Sequence, residues 1–286
     1  MLQTVEHAAA HAMAHTVEDS FFVIFILFLT YLAMEYLEHS AGGKLQLLMR
    51  KAGRLGAVVG ALAGVVPQCG FSAAASNLYA GRVITMGTLL AVYLSTSDEM
   101  LPVMISAHAP VGTIAGILLV KIVVGMAAGL LIDLVCGKRQ EEHAHIHEIC
   151  EQEHCGCERG IFRSALSHTL QVGIFLLLIS FALNLVLELL GEDVLSGFLL
   201  NRPIVGSLVA GLVGFIPNCA ASVAITELYL EGLIGIGSLL SGLLVGAGVG
   251  LLVLFRVNHN RLENCRIAGI LYIVGVLVGV AAEFVL

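Results

Sequence analysis

Pro67-Gln68-Cys69-Gly70-Phe71-Ser72 returns 150 residues later as Pro217-Asn218-Cys219-Ala220-Ala221-Ser222. At that offset the chain overlays on itself without a gap from Gly56 to Leu101, with 16 of 46 positions identical. Apolar segments match one another cheaply, so the weight falls on the shared Pro, Cys and Ser and on Leu78-Tyr79, repeated as Leu228-Tyr229. Gly64/Gly214 and Gly87/Gly237 match, as do Glu38 and Glu188 further upstream. Ile114 to Leu118 recurs as Ile267 to Leu271, which implies a three-residue slip late in the repeat. The chain is therefore an internal duplication. Proline removes a backbone donor and interrupts a helix, so each half contains a break at a fixed place.

The surroundings of the breaks are those of a membrane protein. Of 286 residues, 58% are hydrophobic and 12% charged, about half the charge of an ordinary soluble domain, where roughly 25% is usual. Phe21 to Leu37 has one charge, Glu35; Val111 to Ile132 has only Lys121; Ile267 to Ala282 has none. About 20 apolar residues span a bilayer, so these runs predict transmembrane helices. Thirty-two glycines and no tryptophan suit close helix packing. Residues 1 to 20 contain no Lys or Arg, whereas a secretory signal begins with a positive region, so Phe21 to Leu37 reads as a retained first span. A net charge of -7 and the lack of a basic, aromatic-interleaved pattern imply no nucleic-acid partner.

Loop charge predicts orientation, because Lys and Arg concentrate on the cytoplasmic side. Lys44, Arg50, Lys51 and Arg54 place 39–54 inside, whereas its counterpart 191–203 has Glu192, Asp193 and a single Arg202. Arg256, Arg261 and Arg266 place 256–266 inside, and the counterpart around Ser106 to Val111 has no basic residue. The bias flips between the halves, so the repeats are inverted. Both termini are then expected outside, and the central loop with Lys138, Arg139, Arg159 and Arg163 inside. Between the loops near 54 and 109 the chain must cross an odd number of times. Leu55 to Val66 is about 18 Å of helix, too short to span, and Phe71 to Ala80 is shorter. The expectation is an all-α integral membrane protein of about ten transmembrane or half-membrane helices, in two inverted five-segment repeats with Pro-broken helices. The divisions are a tail at 1–19, a first repeat at 20–136, a loop at 137–162 and a second repeat at 163–286.

Interrupted helices in inverted repeats are a transporter architecture, with substrate held near the midplane at the breaks. Gln68, Cys69 and Ser72, with Asn218, Cys219 and Ser222, are the candidate substrate ligands; a kinked packing contact is the alternative. Thiolates suit soft metals and metalloids, and half-helix N-termini suit anions. Ser95-Thr96-Ser97-Asp98-Glu99 has Val245-Gly246-Ala247-Gly248-Val249 as its counterpart, so the acids occur once. Asp98 and Glu99 could bind a cation, relay a proton or pair with Lys121; a polar turn at the surface is the alternative. His143, His145, His147, Cys150, His154, Cys155 and Cys157 form a Cys/His-rich tract suited to metal capture, although a solvated linker would look similar. His7, His11 and His15 share a helix face if helical, and Glu35, Glu38 and His39 read as interfacial. No Walker A, Rossmann or His-Glu-x-x-His pattern suggests an enzyme.

The paired Pro-[Gln/Asn]-Cys-x-x-Ser blocks, the Ser-Thr-Ser-Asp-Glu run and the His-rich loop resemble the ten-transmembrane heavy-metal exporter family. Its members are labelled arsenic efflux proteins or manganese transporters. The resemblance implies ten segments and efflux of a metal or metalloid ion such as manganese or arsenite. The reading is then a gradient-driven inner-membrane permease with no tightly bound cofactor. Its partners are the transported ion and the lipid bilayer, with a homo-oligomer left open. An oxyanion permease, or a membrane-embedded metal sensor or assembly protein, are the other readings.

Overall fold

The computed structural model describes residues 53–66, 69–97, 100–136, 203–216 and 219–285, with single helical positions at 28, 29, 32, 166, 169, 170 and 174. The described residues are helical, without a strand. In the first half they form α1 (Gly56–Gly64), α2 (Cys69–Ala80), α3 (Met86–Ser95), α4 (Met100–Ser106) and α5 (Val111–Cys136). In the second half they form α6 (Pro203–Gly214), α7 (Cys219–Leu230), α8 (Ile236–Val245), α9 (Gly250–Val257) and α10 (Arg261–Val285). The elements keep one order and nearly one set of lengths. The sequence predicts a helix from Phe71; it begins two residues earlier, at Cys69.

Among the described residues, three stretches are long and apolar enough to cross a membrane: Val111–Val135, Ile236–Val257 and Arg261–Val285. The second joins α8 to α9 across a break at 246–249, where Gly248 takes a φ of +55° that an L side chain rarely adopts. In the first half the same place separates α3 from α4 after Thr96 and Ser97. At nine and 12 residues, α1 and α2 are too short to span singly. The exposed face of α5 carries Val111, Leu119, Val123, Leu131 and Leu134, an apolar stripe fit for lipid rather than water.

Backbone contacts explain why particular glycines recur. A Cβ on Gly87 would fall 2.1 Å from the Gly129 carbonyl oxygen, and one on Gly237 would fall 2.3 Å from that of Gly279. These are the crossings of α3 with α5 and α8 with α10, where two backbones nearly touch. Beside each crossing an acid near the end of the long helix caps the shorter one. Asp133 accepts from Gly87 N–H at 3.0 Å, and Glu283 accepts from Gly237 N–H at 2.7 Å. A carboxylate there offsets the free N–H groups and positive end of a helix N-terminus. Asp133 also accepts from the Thr85 hydroxyl. Glu283 is one methylene longer, and a Cβ at position 235, where glycine stands, would fall 2.0 Å from its carboxylate.

These contacts correct the late register. Gly129 and Asp133 correspond to Gly279 and Glu283 at the unchanged offset of 150, and Gly125 meets Ala91 as Gly275 meets Ser241. The three-residue slip at Ile114 to Leu118 is therefore a chance match of apolar residues. The true counterpart of Lys121 is Leu271.

The halves are interlocked. α2 packs on α9 of the other half, and α7 packs on α4, so each second helix lies against the other half's fourth. One core joins them, from Phe71, Leu78 and Tyr93 to Leu244, Leu254 and Leu271.

Candidate functional site

The breaks converge on one cavity. Thr96, Ser97 and Met100 line it from the α3–α4 break, Gly214, Ile216, Ala221 and Ser222 from the α6–α7 break, and Leu243, Gly246 and Gly248 from the α8–α9 break. Small residues permit this approach: a Cβ on Gly214 would fall 2.4 Å from the Gly242 carbonyl, and one on Gly64 would fall 2.2 Å from Ser95 Oγ. The hydroxyls of Ser95 and Thr96 turn back onto the carbonyls of Ala91 and Val92 at 2.8 Å, satisfying polar groups where α3 ends.

Lys121, on α5, is fully buried, and its ammonium donates to the Leu243 carbonyl at 2.7 Å. Leu243 lies in the last turn of α8, whose carbonyls carry the negative end of the helix dipole, a favourable seat for a cation. Its expected partners Asp98 and Glu99 lie outside the described residues, as do Gln68 and Asn218 and the tract from His143 to Cys157. Cys69 and Cys219 are the first residues of α2 and α7.

The two serines of the repeat stand differently. Ser222 lines the cavity, whereas Ser72 is fully buried against Gly250 at the start of α9, where an added Cβ would fall 2.8 Å from the serine Cβ. One turn on, Ser76 Oγ lies 2.8 Å from the carbonyls of Ser72 and Gly250 and 2.7 Å from the Tyr93 hydroxyl, which itself lies 3.0 Å from the Gly250 carbonyl. The counterpart Thr226 makes the same backward bond to Ser222, but Leu243 and Met100 replace Tyr93 and Gly250. One side of the seam is thus closed by a polar knot. The other carries the cavity and the lysine.

At the far end of α2, Arg82 grips Glu263 of α10 through both guanidinium nitrogens, at 2.8 and 3.0 Å, and the Tyr79 hydroxyl donates to the same carboxylate. That carboxylate, accepting from the guanidinium, holds Arg82 above its ordinary range. Asn258 and Asn264 tie the adjoining loop. Motif and period do not point to this ion pair, to either carboxylate cap or to the buried Glu227 of α7. A visible signal exists for Glu227, a carboxylate inside an apolar half-span. Among the described residues, no three His, Cys, Asp or Glu side chains gather as a metal site.

Bilayer-length apolar helices, helices broken in mid-course and buried polar groups at the breaks define a helical membrane protein with several spans. The model of the family described as "Putative, 10TM heavy-metal exporter" matches residues 8–160, and the chain belongs to that family. This agrees with the resemblance carried by the Pro-Cys-Ser blocks. No curated protein and no solved structure matches the chain.

Proposed function

We propose that the protein is a secondary transporter that exports a heavy-metal or metalloid ion, manganese or arsenite or similar, across the inner membrane. The observation that carries the reading is the convergence of three helix breaks on one cavity, with Ser222 in its wall and Cys219 opening the same helix. In a bilayer, free backbone groups at a break are tolerated only where they line a cavity or lie buried in protein. Cys69 and Cys219, with Gln68, Asn218, Ser72 and Ser222, would take the ion from its water shell. Asp98, Glu99 and Lys121 would balance its charge, and the tract from His143 to Cys157 would gather ions on the cytoplasmic side. An ion gradient would drive the cycle.

Inverted repeats account for the packing in one stroke. α1 and α2 would enter and return as a hairpin, α3 and α4 would cross as one broken span, and α5 would cross back. The second half would do the same from the other face. On that path α2 and α9 occupy one leaflet and α7 and α4 the other, which agrees with the observed contacts. Both termini would lie outside. Added Lys or Arg in 191–203, with a reporter in each loop, tests this topology: an unchanged map supports a weak loop signal, and a flipped second half supports inversion set by charge.

The substrate test pairs Cys69→Ser with Cys219→Ser, read as metal and oxyanion sensitivity of a deletion strain carrying each form. Loss of metal resistance is the expected result. Retained resistance removes the thiolate site and favours an oxyanion, a second reading that the Lys121 ammonium beside the cavity supports. Deleting 141–158 should weaken transport; complete loss of response with intact flux would instead mark a sensor.

A further inference from the structure

We propose that Glu227 binds and releases the proton that drives the cycle, an inference that rests on the transporter reading above. Glu227 stands on α7 within Thr226-Glu227-Leu228-Tyr229, where α2 has Ser76-Asn77-Leu78-Tyr79. It is only 8% exposed, and among the described residues its carboxylate meets neither a hydrogen-bond donor nor a cation. A buried carboxylate without a partner is costly while charged, and the cost disappears when it takes a proton.

Among the described residues, the elements packed on α7 offer no charge partner. α4, α6 and α8 are the elements packed on α7, and none of them carries an ionisable side chain. The titratable group beside it is Glu231, one turn further along α7 and exposed in the turn that follows. Two carboxylates four residues apart on a helix repel, so Glu231 offers Glu227 no compensating charge. In the other direction, Thr226 bonds to the Ser222 carbonyl at 2.7 Å, and Ser222 lines the cavity. Along the axis of α7, the exposed Glu231 just past its end, the buried Glu227 and the cavity-lining Ser222 follow one another at intervals of roughly 6 to 8 Å. The first half has Asn77 and Gly81 at these positions, and neither can change charge. The step is a single protonation: the carboxylate takes one proton from one side to become a neutral acid, and gives it up on the other.

The test uses the full-length protein in lipid, with infrared titration of the carboxylic-acid carbonyl band and, separately, proteoliposomes given manganese(II) or arsenite with and without a pH gradient. The wild type should show a protonated-acid band that fades as pH rises, and Glu227→Gln should lack it. The variant should also lose gradient-driven accumulation, falling to the level seen without a pH gradient, while still exchanging ion downhill. A band unchanged in Glu227→Gln, or gradient-driven accumulation retained in it, overturns the proposal. If neither probe moves in the wild type but the band is lost in the variant, the proton site stands and the metal-exporter reading falls. Where the glutamine variant yields no folded protein, Glu227→Asp replaces it: drawing the carboxyl back by one methylene should shift the pH at which the band fades, and an unshifted titration overturns the assignment.

Discussion

Replacing Gly237 by alanine tests the α8–α10 crossing that both halves share. The new methyl carbon would lie 2.3 Å from the Gly279 carbonyl oxygen and 2.5 Å from Glu283 Oε2. The first neighbour is backbone, so relief requires the helices to part by about 1 Å in a close-packed interior. Overpacking of this kind costs about 1–3 kcal/mol. Separation also lengthens the 2.7 Å bond from Gly237 N–H to Glu283, a charge-assisted contact worth about 1.5–3 kcal/mol when lost outright. Partial loss of each gives a destabilisation of about 3 kcal/mol, roughly a hundredfold in the unfolding equilibrium. Gly269→Ala is the control: nothing lies within 4 Å of its Cβ position in the same long helix, and alanine favours helix over glycine by up to about 1 kcal/mol. Reversible unfolding in mixed micelles should show the two substitutions moving stability in opposite directions. Equal, small effects would mean that α8 and α10 do not meet as described, and the same account of Gly87 and Asp133 would fall with it.

Lys121→Met removes the ammonium from the Leu243 carbonyl while keeping much of the side-chain volume. Flux in proteoliposomes should fall at least tenfold with the melting temperature little changed; unaltered flux would leave the lysine a structural role only. For Arg82 and Glu263, a double-mutant cycle with Arg82→Ala and Glu263→Gln should give a coupling of no more than about 1 kcal/mol that shrinks in high salt, because the arginine is 40% exposed. Additive effects at low salt would show that the pair holds nothing between α2 and α10.

Part of the candidate site is legible in the amino-acid sequence. Cys69, Ser72, Cys219 and Ser222 stand out by repetition, and Asp98, Glu99 and Lys121 by charge in apolar surroundings. That Ser222 faces a cavity while Ser72 is packed on Gly250 does not follow from the motif they share. The difference lies in what meets each serine from the other half. Glu227 escapes a reading by motif because its burial is a product of tertiary packing.

The breaks between α3 and α4 and between α8 and α9 came from the structure, whereas membrane residence, duplication, the breaks at the two Pro-Cys-Ser blocks and family membership were decided by the sequence alone. Each is carried by composition, by a period or by a motif, and such signals survive without knowing what touches what. The tertiary structure decided the pairing of α2 with α9 and α7 with α4, the register that sets Lys121 opposite Leu271, and the caps made by Asp133 and Glu283. These depend on contacts between residues far apart in the chain. Apolar helices look alike to a sequence comparison, but only one register lets Gly87 meet Gly129 and Gly237 meet Gly279 with their carboxylates in reach.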